Sequence, residues 1–358
     1  MKILFIPEPK KEETSERSPQ MIKVLKRKHE VVFLKPEEYW IKKRSFWPLR
    51  AWERFHINKK LIEEGKKMDG IDLVFCRDYT FALPGSRIAR HLRKPCVWDS
   101  EGSMKAFWED HHKYPTQVLP WLPAEKWLSK RVNYMITVTE RDRRGHIEQG
   151  MDPNRIHIIP ICVRSELFSQ KTKEEARQAL QLASHETFFL FFSNFNYLPN
   201  RMAINFLNEK VAPHLPGKLL LCGQGNLPKK LHPKIEYLGF LPLQKLYDLI
   251  RASDVCLSPI WEANGTLTKV LDMLGHGAAT VITPAGQKGV RGLQDGVHAL
   301  VAQDKEDFIY KTLLLAKNPT LQSKLKKSGP EVVQKNHEWK LYENQLLTLV
   351  ESFGNNGH

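Results

Sequence analysis

The chain has 358 residues and carries 55 Lys and Arg against 40 Asp and Glu, a formal net charge of +15 at pH 7. This length predicts two domains with a hydrophobic core each, and the charge favours anionic partners: nucleic acid, acidic lipid headgroups or phosphorylated small molecules. A membrane-spanning helix is excluded, because the densest apolar run, FFLFF at 188–192, is only one strand long.

Short apolar runs alternate with amphipathic stretches along the whole chain. Most of these runs are continuously apolar, which is typical of parallel strands covered by helices on both faces. Two doubly wound α/β domains are therefore predicted, with ligands at the carboxyl ends of the strands. The predicted strands lie at 2–7, 30–35, 72–77, 95–100, 134–139 and 156–161, and then at 188–193, 218–223, 235–239, 255–259, 279–284 and 298–302.

The polar segment at 163–186 separates the two series of strands and marks the domain boundary. We assign an N-terminal domain to 1–165 and a C-terminal domain to 166–336. A last helix at 337–353 lies beyond the second series and is expected to cross back to the N-terminal domain, followed by a tail to residue 358.

The cysteine and histidine patterns give no sign of disulfides or metal ligands. The five cysteines lie in apolar surroundings without a CxxC pair, and the 14 histidines show no HExxH spacing. Buried thiols and no metal site are expected. The apolar start, MKILFI, is too short for a signal peptide, so a cytoplasmic protein is expected.

The segment at 262–289, EANGTLTKVLDMLGHGAATVITPAGQKG, combines several features of an anion site. A helix is predicted over 267–275, starting directly after a strand and a turn, because its apolar residues fall at i, i+3, i+4 and i+7. Lys269 and Asp272 lie together on the opposite face. The free amides at the helix start can bind an anion, and Gly265 lets a phosphate approach the backbone closely.

These residue types together predict a nucleotide site. Lys269 adds a positive charge one turn into the helix, and Asp272 can accept hydrogen bonds from ribose hydroxyls. Glycine-rich strand ends at 223–225 and 284–289 support the same interpretation. The alternative is a solvated amphipathic helix that carries an incidental lysine and aspartate.

The stretch PIWEANGTLTKVLDMLGHGAATVITPAGQKGV at 259–290 resembles, without a gap, the nucleotide-sugar motif of retaining GT-B glycosyltransferases of family four. The resemblance covers essentially the whole second domain, through NFNYLPNRMAINFL, LLLCGQG, IEYLGFLPLQKLYDLIRASDVCLSP and the late His-Glu-Trp at 337–339. The first domain matches more loosely, in MKILFI, DLVFCRD, VWDSEG and VTERDRRGHIEQGMDPNRIHIIPI.

This resemblance implies a GT-B fold, in which two Rossmann-like domains face a central cleft. The N-terminal domain would bind the acceptor and the C-terminal domain the nucleotide sugar. Lys269 would neutralise the donor diphosphate with help from the backbone amides of Gly265 and Thr266. Asp272 would hold the ribose hydroxyls, and Asn264 stands where many members carry a glutamate that contacts the transferred sugar.

Glu262, two residues before Asn264, could substitute for the missing glutamate. The resemblance also implies that Arg201 would supply a second cation at the start of a helix. The loop that cradles the base would consist of Gly239, Phe240, Leu241 and Pro242, and Gly223 belongs to the glycine-rich strand end.

Members of the family usually place a histidine after the fourth strand of the first domain, where this chain has Asp99-Ser-Glu101-Gly102. Asp99 and Glu101 could form an acceptor-binding pair or a base, with Glu101 as the catalytic candidate. Alternatively, Asp99 could only cap a turn.

The implied reaction is hexosyl transfer with retained anomeric configuration. Neither a metal nor a cofactor is expected beyond the nucleotide diphosphate sugar that serves as donor. Lys269, Arg201 and the helix amides would stabilise the departing diphosphate. Closure of the cleft is expected because each domain carries half of the site.

Basic and aromatic residues are interleaved at 39–60, YWIKKRSFWPLRAWERFHINKK. Such a segment fits an anionic membrane surface, which would make the protein peripheral at the inner face of the membrane. It also fits a nucleic-acid groove, or a solvated helix whose aromatic rings pack on the domain. The candidate surface residues are Trp40, Lys42, Lys43, Arg44, Trp47 and Arg50.

Three functions therefore stay open at this point. The first is an active glycosyltransferase that builds a surface glycan or glycolipid. The second is a binding or scaffold protein that has kept the fold and lost catalysis, as Asn264, Asp272 and the missing histidine would suggest. The third is a DNA-modifying glucosyltransferase, which would explain the +15 charge without a membrane.

Overall fold

The computed structural model describes residues 1–7, 17–35, 47–110, 121–263 and 265–355. The chain divides into two compact units, of which the first comprises Met1–Ile161 with Trp339–His358 and the second Cys162–Glu338. Each unit contains one parallel six-stranded sheet with helices around it. The prediction of a two-domain α/β fold is confirmed.

The first unit is a parallel sheet whose central strands are buried from end to end. Its strands are β1 (Lys2–Ile6), β2 (Glu30–Phe33), β3 (Leu73–Arg77), β4 (Cys96–Asp99), β5 (Tyr134–Thr137) and β6 (Ile156–Ile158). Their order in the sheet is β2-β1-β3-β4-β5-β6. The described helices before the chain leaves this unit are α1 (Arg17–Leu25), α2 (Trp47–Gly65), α3 (Asp78–Leu92), α4 (Met104–Asp110), α5 (Leu122–Ser129) and α6 (Glu140–Glu148).

The second unit repeats this architecture with a different strand order. Its strands are β7 (Phe188–Asn194), β8 (Lys218–Gln224), β9 (Ile235–Tyr237), β10 (Val255–Ser258), β11 (Thr280–Ile282) and β12 (Leu300–Val301). They are arranged as β12-β11-β10-β7-β8-β9. The described helices are α7 (Lys173–Ala179), α8 (Leu198–Phe206), α9 (Leu243–Ala252), α10 (Thr268–Gly275), α11 (Pro284–Lys288), α12 (Lys305–Ala316) and α13 (Pro319–Asn336).

The last helix, α14 (Glu343–Asn355), packs within the first unit. Arg27 at the end of α1 donates two hydrogen bonds to the carboxylate of Glu343, at 2.6 and 3.1 Å. The ring of Phe353 stacks on Tyr134 with 4.1 Å between centroids. The helix begins later than the sequence predicted, because residues Trp339–Leu341 form a separate 3-10 turn.

All of the predicted strands are present, and each differs from its prediction only at the ends. Two other local predictions need correction. The segment at 284–289 is not a loop, since Pro284–Lys288 forms helix α11 with proline in its first turn. Helix α10 begins at Thr268, one residue later than predicted, and residues 259–263 and 265–267 before it lie outside helices and strands. No helix among the described residues has the length and apolar character needed to cross a membrane.

The strand orders identify where each sheet can bind a ligand. In the second unit the chain progresses outward in opposite directions from the adjacent strands β7 and β10. In the first unit the same reversal lies between β1 and β3. A crevice opens beyond the carboxyl ends of the strands at such a reversal, and ligands of open α/β sheets bind there.

Candidate active site

Lys269 lies at the reversal point of the second sheet. Its ammonium donates to the hydroxyl of Ser193 at 2.6 Å and to the side-chain oxygen of Asn200 at 3.0 Å. Ser193 is at the carboxyl end of β7, Asn200 is in the first turn of α8, and Lys269 itself is in the first turn of α10. The three residues therefore join the two helices that follow the two central strands.

The charge of Lys269 has no counter-ion among the described residues, because none of their carboxylates forms an ion pair with it. Its ammonium lies 4.9 Å from the centroid of the Phe191 ring, and the side chain is partly buried. Burial lowers the pKa of Lys269 to about 7. Binding of an anion would stabilise a cation held in this way, because the anion compensates for the hydration that the cation has lost.

The strand ends beside Lys269 approach each other closely, and glycine makes this possible. Ser193 and Gly223 are partners in the β7–β8 register. Gly223 has φ of +139°, and a Cβ at this position would lie 1.8 Å from the carbonyl oxygen of Ser193. A similar restriction holds at Gly225, where a Cβ would lie 2.6 Å from the amide nitrogen of Asn196. This edge of the sheet consequently presents backbone rather than side chains.

The entry to α10 is held by a contact between two loops. The hydroxyl of Thr266 donates to the carbonyl of Gly289 at 2.9 Å, and a Cβ on Gly289 would lie 2.7 Å from the Cα of Thr266. Gly265 adopts φ of +66°. The N-cap residue, Leu267, has no side-chain hydrogen bond to the first amides of the helix. Amides in such a first turn can bind an anion.

Arg201 and Glu262 of the second unit each carry a buried polar atom. The Nε atom of Arg201 and the Oε2 atom of Glu262 form no hydrogen bond with the described residues. Burial and the negative charge of Glu262 both raise the pKa of Tyr197, which precedes α8. Buried polar atoms are normally satisfied, and the hydroxyls and oxyanions of a bound ligand would satisfy these.

The loop after β9 is tied to Gly223 and exposes an aromatic ring. The carbonyl of Gly239 accepts a hydrogen bond from the amide of Gly223 at 2.8 Å. Gly239 has φ of +70°, and no heavy atom lies within 4 Å of its Cβ position. Phe240 is 51% exposed, whereas Leu241 packs against the core. Asp272 lies in the middle of α10 and is half-buried, and its carbonyl accepts the amide of His276 at 3.0 Å.

Asp99 of the first unit belongs to a buried ion network. Arg17 donates to both carboxylate oxygens, at 3.0 and 2.7 Å, and Arg77 also bonds to this carboxylate. Burial alone would raise the pKa of Asp99, but the two guanidinium groups outweigh it and hold the pKa below its usual value. Neither a free base nor a simple turn cap describes Asp99, because two side chains distant in sequence occupy its oxygens.

Glu101 differs from Asp99 in its exposure. Its side chain is 49% exposed and forms an ion pair with one nitrogen of the buried Arg77. Arg77 also donates to the hydroxyl of Ser18 at 2.9 Å. Arg77 ends β3, one of the strands at the reversal point of the first sheet, so Glu101 lies near the place where this unit can bind a ligand.

A second buried network supports the same loop. His146 lies 3.0 Å from Glu125 through Nδ1 and 3.0 Å from the hydroxyl of Ser100 through Nε2. Glu125 also accepts from the hydroxyl of Tyr79 at 2.7 Å and from the amide of Lys105 at 2.9 Å. These buried and partly buried contacts fix the segment that carries Ser100 and Glu101.

Several predicted residues lie outside the described part of the chain. Asn264 and the surface candidates Trp40, Lys42, Lys43 and Arg44 belong to the undescribed segments. Trp47 and Arg50 lie on helix α2, where the structure describes their backbone but not their side chains. Among the residues that the structure does describe, there is no group of three or more His, Cys, Asp and Glu side chains placed to hold a metal ion.

Four residues around the charged groups were not predicted from the sequence. Ser193, Asn200 and Tyr197 surround Lys269 or Glu262 in the second unit, and Arg17 binds Asp99 in the first. Ser193 and Asn200 could have been found from their position, because they lie at and just after the carboxyl end of the strand that begins the second series. Nothing near Arg17 in the sequence indicates that it pairs with a residue 82 positions away.

Solved glycosyltransferase structures share this fold over almost their whole length. Sucrose-phosphate synthase from Thermosynechococcus elongatus is similar, with a TM-score of 0.77 at 16% identity, covering 98% of this chain and 99% of that one. HepE of Anabaena, solved with UDP and glucose, has a TM-score of 0.74 at 14% identity, covering 98% and 100%. The lipopolysaccharide outer core galactosyltransferase WaaB has a TM-score of 0.64 at 14% identity, covering 98% and 99%.

Family models match both halves of the sequence, while no match was found among curated proteins. Residues 4–167 match Glycosyltransferase Family 4, and residues 201–348 match a glycosyl transferase-like domain. Between them the two models span most of the chain, and the strand orders and reversal points are those of two Rossmann-like sheets. The chain therefore belongs to the GT-B glycosyltransferases of the family-four type.

Proposed function

We propose that this glycosyltransferase moves a hexose from a nucleotide diphosphate sugar to a hydroxyl group of a glycan or lipid-linked acceptor, with retained anomeric configuration. The observation that carries the proposal is Lys269. It is a partly buried ammonium without a carboxylate partner among the described residues, at the point where the second sheet reverses. A donor diphosphate is an anion that would compensate this charge.

The surroundings of Lys269 support a nucleotide sugar rather than a simple phosphate. Phe240 offers an exposed ring at the loop assigned to the base, and Asp272 offers a carboxylate for the ribose hydroxyls. Gly265 and Thr266 lead into the open first turn of α10, where backbone amides can bind phosphate oxygens. HepE, which shares this fold, has been solved with UDP-glucose bound.

The proposed reaction needs no metal because cationic side chains take over the stabilisation of charge. The bond between the anomeric carbon and the β-phosphate oxygen breaks, and the acceptor oxygen forms its bond to the same face of that carbon. The acceptor proton passes to the departing phosphate oxygen. Lys269 and Arg201 stabilise the charge that develops on the diphosphate.

We assign Glu262 to the hydroxyls of the transferred sugar and Glu101 to the acceptor. The buried Oε2 atom of Glu262 has no partner among the described residues, which suits a carboxylate that receives sugar hydroxyls. Glu101 is half exposed beside the reversal point of the first sheet. WaaB, a galactosyltransferase of the lipopolysaccharide outer core, gives an example of a glycan acceptor on this fold.

A donor screen tests the proposal. Wild-type protein and Lys269→Ala are compared by thermal shift and by release of free sugar with UDP-, GDP-, ADP- and dTDP-sugars. A ligand present at about 100 times its dissociation constant adds about 2.7 kcal/mol to the free energy of unfolding. We expect stabilisation and slow sugar release with one nucleotide, and loss of both in the variant. Failure of every donor to bind would move the assignment to an inactive binding protein.

A further inference from the structure

A basic pocket lies in the first unit, at the opposite edge of its sheet from the carboxyl strand ends. Its volume is about 710 Å³, and it is bordered by Pro95 and Asn133, which directly precede β4 and β5. We define the basic pocket by its lining residues: Ser86, Arg87, Ala89, Arg90, Arg93, Lys94, Pro95, Trp127, Arg131 and Asn133. Because it lies at the amino ends of the strands, it is separate from the site proposed for glycosyl transfer.

The lining of the basic pocket contains five cations and no carboxylate. Lys94 forms a long ion pair of 3.9 Å with Asp72, which lies outside the lining. Arg87, Arg90, Arg93 and Arg131 form no ion pair with any described carboxylate. All four of these arginines are exposed, and they come from two separate segments of the chain.

Local structure does not account for this many cations. The basic pocket lies near the carboxyl ends of α3 and α5, and a cation at such an end compensates the helix dipole. Each helix end carries about half a negative charge, so the two together need only about one cation. The surplus keeps the pocket strongly positive.

Local structure fixes the backbone position of Arg93 and the orientation of the Arg131 side chain. Arg93 has φ of +56° and caps α3 with its backbone amide, which places it and Lys94 at the end of the helix. The guanidinium of Arg131 stacks over the ring of Trp127 at 4.2 Å from the centroid. Such stacking restricts the guanidinium and leaves its edge available for hydrogen bonds.

We propose that the basic pocket is a second ligand site, which binds a group carrying two or more phosphates. Guanidinium groups match phosphate oxygens in a bidentate geometry, and several unpaired ones around a single pocket favour more than one phosphate. The volume is within the range of small-molecule sites and exceeds what one phosphate needs. The phosphates can belong to a soluble molecule or to a lipid headgroup, and the two sources differ in how they are tested.

The first arm of the experiment measures binding of inorganic tripolyphosphate by calorimetry. The protein used is the Lys269→Ala variant, so that the proposed donor site does not contribute. We expect Arg90→Gln/Arg131→Gln in this background to bind at least tenfold more weakly. The matched control, Lys60→Gln/Lys66→Gln, removes the same charge from exposed lysines outside the pocket and should bind as the parent does.

The second arm measures co-sedimentation with phosphatidylcholine vesicles that contain one-fifth phosphatidylinositol 4,5-bisphosphate or none. Loss of sedimentation in the pocket variant alone, without strong tripolyphosphate binding by the parent, would identify the lipid headgroup as the source. Equal behaviour of the pocket variant and its control in both arms overturns the proposal, as does failure of the parent to bind either probe. Melting temperatures without ligand verify that the variants fold. Because both arms compare proteins that lack Lys269, the result does not depend on the proposed glycosyl transfer.

Discussion

The ammonium of Lys269 lies 2.6 Å from the hydroxyl of Ser193, although the two residues are 76 positions apart in the sequence. Ser193 lies at the carboxyl end of the first strand of its series, and Lys269 lies in the first turn of the helix after the fourth strand. The contact spans the two strands between which the sheet reverses, β7 and β10. Neutral oxygen atoms hold the lysine there without satisfying its charge.

Removal of Lys269 should strongly reduce turnover without lowering stability. Lys269→Met removes a cation that stabilises the departing diphosphate, and the loss of one such group typically reduces turnover about 10²–10³-fold. The free energy of unfolding should stay equal or rise, because a partly buried, unpaired ammonium is replaced by an apolar chain of similar length. Turnover assays and urea unfolding measure the two effects. The exposed Lys327→Met should change neither, and a destabilised Lys269→Met would contradict the interpretation.

Donor affinity should fall as the pH rises above about 7. Burial lowers the pKa of the free Lys269 to about 7, and a bound diphosphate raises it again, so binding takes up a proton above that pH. The dissociation constant of the nucleotide sugar should then increase by up to about tenfold per pH unit. Calorimetry between pH 6 and 9 measures it. In Lys269→Arg the charge persists at every pH used, so a slope as steep as that of the wild type would refute the assignment.

The same shift affects stability in the absence of a donor. Between pH 7 and the ordinary lysine pKa, the unfolded chain binds a proton at Lys269 that the folded chain has released. The contribution of this residue to the free energy of unfolding therefore rises with pH in this window and is constant below it. Urea unfolding of wild type and Lys269→Met as a function of pH isolates this contribution. The free energy of unfolding of the wild type minus that of the variant should rise with pH in this window.

Gly223→Ala should destabilise the second unit more than a substitution at an open glycine. Its added Cβ would lie 1.8 Å from the carbonyl oxygen of Ser193, so the β7–β8 edge must separate. Gly296 has φ of +70° and open space around its Cβ position, so Gly296→Ala should cost only the about 1–2 kcal/mol of a left-handed conformation. We expect Gly223→Ala to lower the free energy of unfolding, measured in urea, more than Gly296→Ala does, and to weaken donor binding. Equal losses would show that the close approach of the strands has no energetic role.

Asp99→Ala should destabilise the first unit strongly, since it leaves the buried Arg17 and Arg77 without their shared carboxylate. Breaking a buried ion pair by removal of one partner costs about 3–5 kcal/mol. The folded pKa of Asp99 is depressed, so its stabilisation is present above the pKa of the unfolded chain and is lost as the pH falls through the folded value. Urea unfolding at neutral and acid pH measures this. Glu148→Ala, which removes an exposed ion pair with Lys105, should cost less than about 1 kcal/mol.

Local sequence patterns were sufficient to predict the elements of the fold. A continuously apolar run such as 188–192 is buried on both faces of a sheet wherever it occurs, so its identity as a parallel strand depends little on its neighbours. The end of α10 was predictable for a similar reason, because Gly277 adopts φ of +65° directly after the helix. The prediction of a loop at 284–289 was wrong, because its glycines suggested a loop whereas Pro284 begins a helix.

The partners of charged groups could not be predicted in the same way. Asp99 had two local interpretations, and neither predicted its partners, because Arg17 and Arg77 come from other elements. His146, Glu125 and Ser100 likewise meet only after β4, α5 and α6 have packed. Contacts of this kind depend on the order of the strands, about which the spacing of residues in the sequence contains no information.

The sequence by itself determined which segments become strands and helices, because hydrophobic periodicity acts over a few residues. It also determined, through the stretch that contains Lys269 and Gly265, which helix start resembles a nucleotide-sugar site. Only the tertiary structure decided that Ser193 and Asn200 hold this lysine, that two guanidinium groups bind Asp99, and that arginines from two segments of the chain surround one pocket. The physical reason is that charge interactions depend on distance and burial, which arise when segments far apart in sequence pack together.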